Sequence, residues 1–243
     1  MPDTAGVDVP DLGLFSRATG VIFSPGKTFL TVAAYPRPAT ILLVVCLILG
    51  LATALPQFTE QGRQQMLEAQ VRQIERTGRT VTPELYASYE KMSQYAAYTA
   101  FGSMFITVPV LSLLLAGAFW GVFNAILGGL ATFKQVLGIV THAQVIGALG
   151  VVVSAPIVWF KGIESFAGPF NLGALVPMLD AASPTASFLS NISFFTLWQI
   201  VVTAIGLGVL YRRKPAGIAV ACMAAYLLLV AGLTAVFSAM VNR

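Results

Sequence analysis

Charge is what this sequence has least of. Of 243 residues, 14 are Lys or Arg and 10 are Asp or Glu, together 10%, where a soluble domain carries roughly a quarter. With 57% of the chain hydrophobic, so few charges cannot cover a water-facing surface. Histidine is scarcer still: His142 stands alone, which excludes a multi-histidine metal centre. The two cysteines, Cys46 and Cys222, fall inside apolar runs and read as small buried hydrophobes rather than a disulfide or metal pair. No secretory signal is read at the start, because MPDTAGVDVPD is acidic and proline-bearing where a signal opens with basic residues and a short apolar core. Targeting is therefore assigned to the first span. The net charge is +4 and no basic cluster interleaves with aromatics, so nucleic acid is not an expected partner.

What is there is apolar length. Uncharged stretches run over Pro38–Thr59, Met92–Phe133, Gln135–Phe160, Ala181–Tyr211 and Pro215–Asn242. Each reaches the roughly 20 residues that a helix needs to cross a bilayer core. The reading is an all-α polytopic membrane protein with five transmembrane helices, near Thr40–Leu55, Ala100–Leu127, Val136–Trp159, Phe188–Leu210 and Ala216–Met240. The Met92–Phe133 stretch could hold one long helix or two crossings. As one helix it would measure about 63 Å, but its middle, Thr107-Val108-Pro109-Val110, offers no Gly/Asn turn pair. One span is preferred, kinked near Pro109, prolonged outside the bilayer and ended by Gly128-Gly129. Residues 1–38 then form an N-terminal cytoplasmic or interfacial segment and 39–240 the membrane domain, with a charged insert at 57–96 and a structured loop at 161–187. Whether that Gly- and Pro-rich loop re-enters the membrane is left open by its composition.

Orientation rests on short-loop Lys and Arg. The two sides tie in number, and the concentrated Arg212-Arg213-Lys214 turn decides for a cytoplasmic N-terminus and an extracytoplasmic C-terminus in the inner membrane. The insert reads as a helical hairpin. Leu67, Val71 and Ile74 repeat at helical spacing, Thr77-Gly78 ends that helix, and Thr82 with Pro83 opens a second carrying Leu85, Tyr89, Met92 and Ala96. The two stripes can bury each other, or they can form a docking surface for another protein.

One short stretch invites a catalytic reading. SPGKTF, residues 24–29, contains the Gly-Lys-Thr that closes a phosphate-binding loop, whose first glycine should stand at position 21. Val21 stands there. Pro25 removes an N–H from a loop whose function is to present them, and the flanks read as helices, not as strand and helix. No nucleotide is expected. Ser24 and Pro25 instead suit a helix start, joining an amphipathic helix over 14–23 to a second over about 25–34 at the membrane interface. Arg17, Lys27, Arg37, Arg212, Arg213 and Lys214 are the expected lipid-headgroup contacts.

No Asp or Glu falls within the expected spans, which weighs against a proton-coupled transporter. The intramembrane polar residues are almost all uncharged. Thr141, His142 and Gln144 form the densest patch, and with Asn124 and Gln199 they are the candidates for a ligand or a path. Hydrogen bonding between helices is their default role. Lys161 and Glu164 read as a surface pair. The small-residue pairs Gly117/Gly121 and Gly206/Gly208 are expected to pack the bundle internally.

The order of features resembles a known family. LFSRATGVIFSPGKTFLTVA (14–33), the charged insert, TFKQVLGIVTHAQVIGALG (132–150), FNLGALVP (170–177) and FFTLWQIVVTAIGLGVLYRRK (194–214) together resemble a bacterial member of the Yip-type (Rab-interacting protein) membrane-protein family, over roughly residues 12–240. The resemblance implies five helices, a cytosolic N-terminus and a short non-cytosolic C-terminus. Eukaryotic members bind prenylated Rab GTPases in vesicle traffic. This chain has only about 38 residues before its first span and carries an insert they lack, so the resemblance does not extend to that activity.

The expectation is a non-enzymatic inner-membrane scaffold or accessory protein, without cofactor or metal, acting on membrane lipids and on a membrane-protein partner or itself. Leu67, Val71, Ile74, Leu85, Tyr89 and Met92 are the docking candidates. The alternatives are a transporter or channel component with a path near His142 and Gln144, and, least expected, an enzyme acting on lipid.

Overall fold

A computed structural model describes residues 10–75, 79–161, 168–179 and 183–241. Ten α-helices follow in order: α1 Leu14–Phe23, α2 Pro25–Ala34, α3 Pro38–Ala54, α4 Glu60–Glu75, α5 Pro83–Ser93, α6 Ala96–Trp120, α7 Phe133–Lys161, α8 Pro184–Ser190, α9 Phe194–Tyr211 and α10 Pro215–Val241. Among the described residues there is no strand, only an isolated antiparallel bridge between Asn171 and Ser193. Among the described residues, five helical stretches are long and apolar enough to cross a membrane: Pro38–Phe58, Ala96–Ile126, Phe133–Lys161, Phe194–Tyr211 and Pro215–Val236.

The second span is one helix. α6 runs through Pro109 without a break and passes into a π-helical turn over Gly121–Ile126. Gly128 then takes φ +68, the left-handed conformation that ends helices and favours glycine. Its outer extension is not continuous with the insert, because α5 stops at Ser93 and α6 starts at Ala96.

α7 is the axis of the bundle. In its most apolar window 56% of residues are buried, against 17% for α6 and 11% for α10. The main core gathers Val136, Ile139, Val140, Ala143 and Ile146 of α7, Val202, Ala204 and Leu207 of α9, and Val21, Phe29 and Val32 of the N-terminal hairpin. Gly206 makes this packing possible, since a Cβ there would lie 2.5 Å from Ile139 Cγ2 and 3.1 Å from Phe29. A smaller core joins Val45 and Cys46 of α3 to Val108 of α6 and Ala148 of α7. Cys46 and Cys222 are both free thiols.

The N-terminal helices have the bounds that their patterns predict. Val21, Phe29 and Val32 are 0% exposed, so the inward faces of α1 and α2 are packed into the bundle. Their outward faces keep an interfacial character, with Phe15 81% and Phe23 82% exposed. Ser24 occupies the N-cap position without a side-chain capping bond. Its carbonyl instead accepts from Thr28 N at 3.1 Å and from Thr28 Oγ1 at 3.0 Å.

The small-residue pairs divide. Gly206 and Gly208 are packed against neighbours, whereas a Cβ at Gly117 or Gly121 would meet nothing within 4 Å. The expectation that Gly117 and Gly121 pack the bundle internally is therefore corrected. Gly117 sits on α6 and Gly121 opens the π-helical turn after it, a stretch whose surface is largely turned away from the bundle.

In the insert, α4 is fixed to the end of α7: Gln61 Nε2 and Gln65 Nε2 each donate to the Trp159 carbonyl at 3.4 Å. Thr82 caps α5 by accepting from Leu85 N at 3.3 Å. Thr77-Gly78, expected to end α4, lies outside the described residues, as does Glu164 of the expected Lys161 pair. In the described part of the 161–187 loop, a short turn of helix over Leu172–Leu175 and the start of α8 take the place of any sixth long helix.

Candidate functional site

The most connected polar group lies where the N-terminal segment meets α3 and α7. Arg17 sits on the same face of α1 as Val21, one helical turn earlier, so the packing that buries Val21 also buries Arg17. Its side chain is 2% exposed. A buried guanidinium must be hydrogen-bonded and paired. Nε–H donates to the Leu12 carbonyl, Nη1 to the Tyr35 carbonyl, and Nη2 to Asp11 Oδ1, all at 2.7 Å. Asp11 Oδ2 accepts from Arg37 Nη2 at 2.6 Å. One arginine thus fastens the chain before α1, the end of α2 and, through Asp11, the start of α3. Arg17 is among the expected headgroup contacts; the structure turns it inward, with three of its five N–H groups bonded within the chain.

Beside this cluster lies His142, 1% exposed. Its Nδ1 is 2.7 Å from the Gly138 carbonyl, and since a carbonyl only accepts, Nδ1 carries the proton. A cavity of about 70 Å³ is lined by Leu12, Leu14, Arg17, Arg37, Thr40 and His142.

The other path candidates do not converge on it. Thr141 Oγ1 donates back to the Leu137 carbonyl at 2.8 Å within its own helix. Gln144 turns to α6, donating from Nε2 to Ser112 Oγ at 2.8 Å, while Ser112 donates to the Val108 carbonyl at 2.6 Å. Gln144 Oε1 is buried without a hydrogen-bond partner. Asn124 lies at the far end of α6, where Nδ2 donates to the Ala131 carbonyl at 2.6 Å and Oδ1 accepts from Tyr211 Oη at 2.8 Å. Gln199 of α9 packs over Gly147 of α7, its Oε1 2.7 Å from where a Cβ on that glycine would stand. Thr141, His142, Gln144, Asn124 and Gln199 therefore occupy separate helix contacts rather than one channel.

Of the expected headgroup residues, Lys27, Arg37, Arg212, Arg213 and Lys214 are exposed. The last three form the α9–α10 turn, in which Arg212 takes φ 53 and Arg213 Nη2 donates to the Leu127 carbonyl at 3.1 Å. The docking candidates separate by helix. Leu67 is buried at 6%, and Val71 and Ile74 are half-buried. On α5, Leu85 and Met92 are exposed, Tyr89 is half-buried, and no residue of that helix is buried.

Sequence reasoning missed Asp11 and Tyr211. A signal for Asp11 was present: a lone arginine on the apolar face of a helix requires an acid, and Asp11 is the acid nearest to it before α1. For Tyr211 the sequence holds no comparable signal, because the distant Asn124 it bonds is reached only through the fold.

Comparison with known proteins adds the family. The Yip1 domain matches residues 19–237. The chain is also 26% identical over 190 residues to a protein described as "Membrane protein YknW" of Bacillus subtilis (strain 168), covering 77% of this chain and 75% of that one. No solved structure matches. With the domain spanning nearly the whole chain and five membrane-length helices in the fold, the protein belongs to the Yip1-domain family of membrane proteins.

Proposed function

We propose that the protein is a non-enzymatic accessory or scaffold protein of the inner membrane that works by holding another membrane protein at its extracytoplasmic face. Its N-terminus is cytoplasmic and its C-terminus extracytoplasmic, an orientation that the exposed Arg212-Arg213-Lys214 turn supports. The observation that carries the reading is α5. This capped helix has Leu85, Tyr86 and Met92 exposed and buries none of its residues, although α4 beside it is fixed to α7. Exposed apolar residues grouped on a held element mark an interaction surface.

A photocrosslinking residue placed at Met92 in native membranes should give one protein adduct of reproducible mass, lost in Leu85→Asp. Adducts with lipid alone, or adducts unaffected by Leu85→Asp, would contradict the reading. A transporter or channel component is the second reading, favoured by the unpartnered Gln144 Oε1. It requires that Gln144→Leu or His142→Ala abolish a flux while the protein still folds.

A further inference from the structure

We infer that the cavity between the N-terminal segment, α3 and α7 is a binding site for a single phosphate group, that of a phospholipid headgroup. The inference concerns the opposite end of α3 from the insert and does not depend on the partner reading.

Charge supplies the first reason. Two guanidinium groups, Arg17 and Arg37, share one carboxylate, Asp11, which gives an oxygen to each. Among the described residues the cluster holds one more positive than negative charge, beside a cavity whose other walls are Leu12, Leu14, Thr40 and a histidine. A positive charge partly withdrawn from water attracts an anion far more strongly than one in bulk solvent. The donors are of the right kind. An arginine presents five N–H groups, of which Arg37 commits a single Nη2–H, to Asp11. Arg37 therefore has N–H groups left over for the paired contact that guanidinium makes with phosphate oxygens.

The second reason is His142. With Nδ1 held by the Gly138 carbonyl, the ring's other polar atom, Nε2, has no hydrogen-bond partner among the described residues, although the residue is almost wholly buried and lines the cavity. A nitrogen acceptor at a cavity wall can take a donor from a ligand seated there. A headgroup hydroxyl or a protonated phosphate oxygen supplies one beside the anionic oxygens that the arginines take. Thr40 adds a hydroxyl at the rim.

Position selects the source. Arg37 and Pro38 open a span, so the cavity lies near the level at which that helix enters the bilayer. Phe15 and Phe23 on the outward face of α1 are exposed there, suited to the acyl boundary. Lipid is the phosphate source nearest to such a site, with free phosphate from the aqueous side the other source of the same chemistry.

Native mass spectrometry of the detergent-purified full chain tests this, with dioleoyl-phosphatidylglycerol, dioleoylglycerol and inorganic phosphate as probes, beside melting curves in each. One phosphatidylglycerol per chain should be retained, with dioleoylglycerol at background. Arg37→Gln should weaken retention about tenfold or more, the scale of one charge-assisted contact, and Thr40→Val by less. Lys27→Gln, an exposed cation on α2 outside the cavity, should match the wild type. Melting without ligand shows that each variant is folded. Stabilisation by inorganic phosphate but not by phosphatidylglycerol would keep the phosphate site and overturn its lipid source. Equal retention by wild type and Arg37→Gln, equal binding of dioleoylglycerol, or no response to either phosphate probe would overturn the site itself.

Discussion

Two helical hairpins flank the first span, and they have opposite fates. The α1–α2 hairpin before it contributes Val21, Phe29 and Val32 to the main core. The α4–α5 hairpin after it contributes no residue to either core, and α5 has none of its residues buried. Both look alike as patterns, with apolar stripes at helical spacing among charges. The difference lies in how the polar side chains are spent. Arg17, itself buried, ties the first hairpin together and holds Asp11, which reaches Arg37 at the start of α3 through an exposed pair. The ion pairs of α4, Arg63–Glu60 and Arg72–Glu68, stay within that one helix. Exposed pairs within one helix contribute little, although Arg63 Nη1 also donates to the Phe58 carbonyl just before α4 at 3.3 Å.

The largest break in this contrast comes from Arg17→Met. It leaves the Leu12 and Tyr35 carbonyls without their donor and Asp11 with Arg37 alone. The expected loss is about 3 kcal/mol, discounted from the fully buried case because Asp11 is partly exposed. It is read as a drop in the melting temperature of the detergent-solubilised protein. Phe29→Ala opens a cavity against Gly206 and Ile139 and should cost about 3 kcal/mol by the same measurement. On the other hairpin, Thr82→Ala removes the α5 cap and should cost about 1 kcal/mol. That loss should appear as faster amide exchange over 83–93 and leave the global melt unmoved. Leu85→Ser combined with Met92→Ser should change stability by less than about 0.5 kcal/mol, since neither side chain is buried. The smallest effect is one of pH. The Glu84 carboxyl is held below its ordinary value by its own backbone hydrogen bond and by Thr82. Its support for α5 is therefore present above the ordinary carboxylate range and fades as pH falls through the depressed value. Amide exchange in the first turn of α5 should rise on that side only, and Glu84→Gln should flatten the dependence.

Much of this architecture is legible in the residues, and the illegible part has a common cause. Five spans follow from where charges are missing, and the bounds of α1 and α2 follow from Pro25 and from apolar spacing. The single helix through Pro109 follows from the lack of a turn pair. What the pattern cannot show is which face of an apolar helix turns inward. Lipid and protein interior are equally apolar, so the amphipathic signal that orients helices in water is weak in a span. Gly117 and Gly206 illustrate this, one open to its surroundings and the other pressed against Ile139, although both sit among small residues in apolar helices. Arg17 failed for a related reason. Amphipathicity shows that α1 has an apolar face but not that α7 and α9 cover it, and a cation on a covered face needs a partner rather than a headgroup. The polar candidates around His142 were found by density along the chain. The fold distributes them over different neighbours, because residues one or two apart on a helix, such as Thr141 and His142 or His142 and Gln144, point in different directions.

The contrast between the hairpins is tested most directly by hydrogen–deuterium exchange of the full chain in lipid nanodiscs, comparing peptides over 14–34 with peptides over 83–93. Protection of α1–α2 at the level of α7 and α9, with α5 exchanging orders of magnitude faster, is the predicted result. Fast exchange over 14–34, or protection of α5 equal to that of α7, would contradict it.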